Sequence, residues 1–273
     1  MTSSQLTVRT DHTHRERTSL GRRTGIRRTL FQKAWRETRA RFGASALILA
    51  LLGISTVARA GPTISAWESF HSGETMPYPL YVWLSLSHGY LMFFWLISAI
   101  LLGLGGLVRE HAHGTAGFTL ALPVSRTELV ATRALTGAAE AAMLAILPEV
   151  IVTLLSPLIG HTYPLSQALG FGVLMGIGGM VFYALGFLLS HLIRGEYAPP
   201  GVGLALTAAV YVLVKMPEFA RFDVFKLMTG SQYMPEGTYQ LGGSFPVSRL
   251  LYCLLGTTLL VVVADAIVRR RDF

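Results

Sequence analysis

The sequence predicts an all-α membrane protein of six transmembrane helices with both termini in the cytoplasm. Three observations predict it. Only 14% of the 273 residues are charged, against roughly 25% in soluble domains, so the chain cannot cover an aqueous surface. Long apolar runs recur, each of a length suited to a ~30 Å hydrocarbon layer. Lys and Arg crowd the segments between alternate runs, as they do on the cytoplasmic side of membrane proteins. The lone cysteine, Cys253, excludes a disulfide-stapled secreted domain.

The net charge of +8 lies wholly in residues 1–42, which hold 11 Lys/Arg and 3 Asp/Glu. The body is neutral. Residues 1–25 are polar, lack periodicity and are expected to be a disordered basic tail. Over 26–42, Ile26, Leu30, Phe31, Ala34 and Trp35 recur at helical spacing among Arg27, Arg28, Lys33, Arg36, Arg39 and Arg41. This predicts an amphipathic helix lying on the anionic inner leaflet and leading into the first span. The adjoining membrane anchor explains the basic residues without nucleic acid as a partner.

The transmembrane domain is expected over 43–273, with spans at about 43–58, 80–108, 134–159, 166–192, 197–215 and 250–268. Pro199 and Pro200 fall in the first turn of the fifth, where amides have no helical partner. With both ends inside, 18 of the 23 Lys/Arg lie in cytoplasmic segments.

The cytoplasmic loop after the second span spends over twenty residues on a connection that needs only a few. Phe118, Leu120 and Leu122 predict a short apolar-bearing helix that Pro123 stops. Ser125-Arg126-Thr127-Glu128 then forms a capping box, in which the Ser hydroxyl and the Glu carboxylate each satisfy a free amide at a helix start. A broken helix followed by a freshly capped one makes a rigid knuckle suited to docking another protein.

These residues also carry a family resemblance. The order Glu110, Gly114-Thr115, Leu120-Ala121-Leu122-Pro123-Val124-Ser125-Arg126, then Glu128-Leu129-Val130 resembles the signature of ABC-2 type transporter permeases, a fold also called type V. The six-span plan extends the resemblance over most of the chain. It implies that Glu110, His111, Gly114, Thr115, Phe118, Leu120, Leu122, Pro123, Ser125 and Arg126 couple the permease to a separate ATPase subunit, with 110–122 as the coupling helix. Segment 26–42 would match the family's connecting helix, and 216–248 its outer-leaflet elements. The resemblance further implies a second permease subunit, either identical (a homodimer) or different, in the cell (inner) membrane. One departure is that His111 and His113 stand where a second acidic residue is common.

No G-x-x-x-x-G-K-[ST] run occurs and no Gly precedes a Lys, so the chain has no phosphate-cradling loop of its own. ATP and magnesium are therefore expected on the partner ATPase, with no cofactor here. The His111/His113 pair diverges on a helix and has no Cys to complete a metal set.

Glu140 and Glu149 fall within the third span. A central charge costs about 2.5–3.5 kcal/mol on insertion, so Glu149 should face the bundle or a dimer cavity rather than lipid. Either residue lines an export path or carries a proton, or it fixes helix packing. Pro148 predicts a kink nearby. In the fourth span, Gly172 and Gly176 form a G-x-x-x-G pair that favours close helix approach, within the chain or across a dimer interface. Phe219, Phe222 and Phe225 predict an interfacial amphipathic helix. Two other function classes fit parts of the sequence: an intramembrane enzyme using Glu140, Glu149 or His88, and a transport-inactive scaffold or sensor.

Overall fold

In the computed structural model, residues 4–71, 75–105, 124–193, 195, 197–235 and 237–270 are described, with side chains from residue 28 onward. The described residues form helices and turns and no strand. Helix α1 runs Ser4–Ala58, followed by α2, Ala60–Phe70. Helix α3 (Tyr78–Val82) starts from the extended Pro77 and continues as a π-helical segment, Trp83–Tyr90, into α4, Leu91–Gly103. Helix α5 spans Arg126–Leu155 and tightens into a 3-10 turn, Ser156–Ile159, that left-handed Gly160 (φ 75°) ends. Helices α6 (Leu165–Gly178) and α7 (Met180–Leu192) meet at Gly179. Helix α8 is Ala198–Leu213, α9 is Val224–Met228 and α10 is Val247–Arg270.

Five stretches are long and apolar enough to cross a membrane: Arg28–Ala58, Tyr78–Gly103, Arg126–Ile159, Leu165–Leu192 and Val247–Arg270. The remaining expected span is α8, whose 16 residues rise only about 24 Å. Its prolines occupy the first turn, as expected. Leu47, Leu51 and Ile54 of α1 and Leu251, Leu255, Leu259 and Val262 of α10 are exposed. Such continuous apolar stripes are not tolerated in water.

The N-terminal region is one continuous helix. Helix α1 extends back to Ser4, through the tail expected to be disordered; no proline interrupts it. Segment 28–42 is part of the same helix. It runs on into the span, with Leu30, Ala34, Thr38, Ser45 and Leu49 buried. Residues spaced by four or seven share one face, and α1 packs mainly on α5.

Side-chain contacts define two ends of the bundle. At one, Arg41 of α1 bonds carbonyls at the end of α4, Arg133 of α5 pairs with Glu37 of α1, and Thr127 of α5 bonds Asp265 of α10. At the other, Tyr81 donates to the Thr56 carbonyl (2.6 Å) and Trp83 to the Thr229 carbonyl (2.9 Å). The latter holds the π-helical segment against the stretch after α9. Residues Ala220–Phe222 form a 3-10 turn, and Asp223 Oδ1 then accepts from the amides of Phe225 (3.0 Å) and Lys226 (3.1 Å) to start α9. That cap resets the helix, so Phe219 and Phe222 are exposed while Phe225 is buried beside Phe182 and Tyr211. The expected single Phe face does not form.

Glycines set the interhelical distances. A Cβ on Gly172 would come within 2.9 Å of Ile146, and one on Gly176 within 3.2 Å of Ala145. The G-x-x-x-G pair thus seats α6 on α5 inside one chain. Helices α4 and α7 approach backbone to backbone: a Cβ on Gly103 would meet the Phe187 nitrogen at 2.6 Å, and one on Gly186 the Ile100 oxygen at 2.7 Å. Because a carbonyl cannot yield as a side-chain tip can, Gly186→Ala is expected to force α4 from α7. The cost of such overpacking is roughly 1–3 kcal/mol, read as a fall of several degrees in Tm of the detergent-solubilised protein. An unchanged Tm would contradict this packing.

Candidate functional site: the anchored ends of the 106–123 loop

Residues 106–123 lie outside the described residues, and with them Glu110, His111, Gly114, Thr115, Phe118, Leu120, Leu122 and Pro123. What is described is how both ends of this loop are fixed. The last carbonyls of a helix lack intrahelical donors, and away from water each must find another. At the end of α4, Arg41 Nη1 donates to the carbonyls of Leu101 (3.1 Å) and Leu104 (2.7 Å). Arg133 Nη2 donates to the Leu104 carbonyl (3.1 Å), while its Nη1 pairs with Glu37 Oε2. Lys33 Nζ lies 3.6 Å from the same carboxylate, one turn earlier on α1.

Gly105 makes this geometry possible. Its φ of +129° is unfavourable for residues with a Cβ, and a Cβ there would fall on the Arg133 guanidinium. Ser190, buried at the end of α7, places its Oγ 2.9 Å from the Gly105 carbonyl and 2.7 Å from the Phe187 carbonyl. Helices α1, α5 and α7 therefore all grip the point where the chain leaves α4.

The returning end is held as firmly. Ser125 is extended (φ −71°, ψ 149°) and its Oγ accepts from the Glu128 amide at 3.1 Å, the N-cap expected from the sequence. Arg126 Nη1 donates to the Val268 carbonyl near the end of α10 (3.4 Å). Thr127 Oγ1 donates to Asp265 Oδ2 (3.4 Å), which also pairs with Arg269 (3.1 Å). Exit and return thus involve five helices at one end of the bundle.

Glu140 and Glu149 lie apart from this site along α5, both buried. Thr38 Oγ1 of α1 donates to Glu140 Oε1 (2.5 Å), and Ser87 Oγ of the π-helical segment donates to Glu149 Oε1 (2.7 Å). Each carboxylate faces the bundle interior, and each crosslinks α5 to a different neighbour. Helix α5 continues through Pro148. His88 packs its ring 4.8 Å from that of Trp83. Among the described residues no group of three or more His, Cys, Asp and Glu is placed to hold a metal ion.

Sequence reasoning missed Glu37, Arg41, Arg133, Ser190 and Gly105. Arg133 entered only as a counter of topology and Arg41 as a basic residue of the expected amphipathic helix, and a glycine next to a loop carries no signal by itself.

A bundle of long apolar helices, with apolar stripes turned outward and a loop pinned at one end, defines a multi-pass membrane protein. Residues 7–233 match the family described as ABC-2 family transporter protein, and the chain belongs to that family. It is a membrane permease subunit of an ABC transporter rather than a catalytic enzyme, and the family normally works with an ATP-binding subunit. Comparison with curated proteins gives no match.

Removing Arg133 takes one donor from Leu104 and a partner from Glu37. Arg133→Met is expected to cost roughly 1–3 kcal/mol, measured by unfolding in detergent. Glu37→Gln in the same background should add less than it costs alone, because the two side chains share one interaction. Additive losses would contradict the pairing.

Proposed function

We propose that this chain is the permease of an ATP-driven exporter in the cell (inner) membrane, in which two copies work with two separate ATPase subunits. In this reading the chain crosses the bilayer six times, α8 included. Both termini and the 106–123 loop face the cytoplasm, in keeping with the clustering of Lys and Arg. Residues 110–122 dock into the ATPase, and ATP and Mg2+ belong to that partner.

The observation that carries this reading is the anchoring of the loop. A connection needed only to join two helices has no use for arginines from α1 and α5 on its exit, or for ties to α10 on its return. A loop that receives force needs such ties, since a displacement is useful only if the helices follow it. ATP-driven closure of the partner would push on 110–122, and α1, α4, α5, α7 and α10 would move as their ends are moved. Glu140 and Glu149 would hold α5 to α1 and to the π-helical segment during that movement. Placing either on the substrate path requires that the bundle open at those contacts.

Gly114→Pro and Phe118→Asp alter the loop without touching its anchors. Both variants are expected to insert normally while losing ATP-dependent export and the stimulation of partner ATPase activity by the permease. Reconstitution with the ATPase in proteoliposomes reads all three. Undiminished transport by both variants would overturn the assignment of 110–122 as the coupling element.

A further inference from the structure

The basic residues of α1 divide by what they touch. Lys33 lies 3.6 Å from the Glu37 carboxylate, and Arg41 is spent on the carbonyls of Leu101 and Leu104. Arg36 and Arg39 are exposed and have no hydrogen-bond or ion-pair partner among the described residues. They stand three apart in a helix, so both guanidinium groups leave α1 on one side.

That side is the membrane-facing one. Arg36, Gly43, Leu47 and Ile54 are seven, four and seven residues apart, which lines them up along a helix of 3.6 residues per turn. Leu47, Leu51 and Ile54 are exposed and form the apolar stripe that meets lipid chains. Between this stripe and the arginines, Ala40, Gly43 and Ala44 are exposed, and a Cβ on Gly43 would find nothing within 4 Å. The helix thus carries a shallow notch, bordered by two cations on one side and apolar side chains on the other. Arg39 lies twenty residues before Arg59, whose amide still bonds the Ser55 carbonyl (3.0 Å). Such a length rises about 30 Å, the thickness of the hydrocarbon layer, so Arg36 and Arg39 sit at headgroup level. At the edge of the same face the rings of Trp35 and Phe42 lie 5.3 Å apart, and indole rings favour that depth.

We propose that Arg36, Arg39 and the notch at Ala40, Gly43 and Ala44 bind the phosphate of one anionic phospholipid, whose acyl chains lie along Leu47, Leu51 and Ile54. Arginine forks match phosphate oxygens in geometry as well as charge. A second copy of the chain fits this face poorly. An isologous contact sets a surface against itself, which would gather four arginines with no anion between them. The inference requires that α1 cross the bilayer, and it is independent of any ATPase partner.

Native mass spectrometry of the full chain, given equimolar phosphatidylglycerol and phosphatidylcholine in detergent, tests this. The unmodified chain should retain phosphatidylglycerol in preference to phosphatidylcholine. Arg36→Gln/Arg39→Gln should lower that preference about tenfold and leave Tm in lipid-free detergent unchanged, since neither side chain holds the bundle. Gly43→Leu keeps every charge but fills the notch, and should also lower it several-fold. Equal retention of the two lipids, or a preference unchanged in either variant, would overturn the proposal. So would ready disulfide formation between two Gly43→Cys chains in a Cys253→Ser background, which would place a second copy on this face.

Discussion

Two guanidinium groups at the end of one helix organise this protein. The terminal carbonyls of α4 lie where water is scarce, and an unmet carbonyl there is costly. Arg41 and Arg133 meet that need from different helices, and Glu37 balances the charge brought by Arg133. Both arginines donate to the Leu104 carbonyl, so α1, α4 and α5 share one junction. The loop begins at that junction. Its exit direction follows from Gly105, the only residue type that can occupy the space beside Arg133 with a positive φ.

The rest of the bundle obeys the rule that in lipid apolar area alone does not choose partners. Choice comes from small residues and from polar contacts. Glycines draw α4 to α7 and α6 to α5 until backbones nearly touch. Hydroxyls and indoles supply the polar contacts: Trp95 donates to the Ala141 carbonyl (2.9 Å) and Tyr183 to the Ala134 carbonyl (2.9 Å). Thr38 and Ser87 do the same for the two carboxylates of α5. Helix α5 is thereby the member to which the others are referenced, and it is also the helix that the loop enters through Ser125.

Much of this was legible in the sequence, for physical reasons. Length and apolarity are local properties, so the long helices could be read directly, and Ser125 could be placed because a cap needs only its own first turn. The G-x-x-x-G pair was legible because small residues at that spacing have one main use. Other features depend on distant partners. Nothing near Arg41 shows that it would reach α4, and nothing near Ser87 shows that Glu149 would be opposite. The Phe219, Phe222 and Phe225 pattern misled because periodicity assumes a continuous helix, whereas Asp223 ends one turn and starts another. The π-helical segment and α2 were missed for a similar reason: neither has a pattern distinct from the apolar sequence around it.

The central claim is that the pinned loop faces the cytoplasm and meets the ATPase there. Placing a single cysteine at Thr115 in a Cys253→Ser background tests it most directly. In membranes containing the partner ATPase, Thr115→Cys should cross-link to that subunit and react with an impermeant maleimide only in inverted vesicles. Labelling in right-side-out vesicles, with no cross-link to the ATPase, would contradict the account.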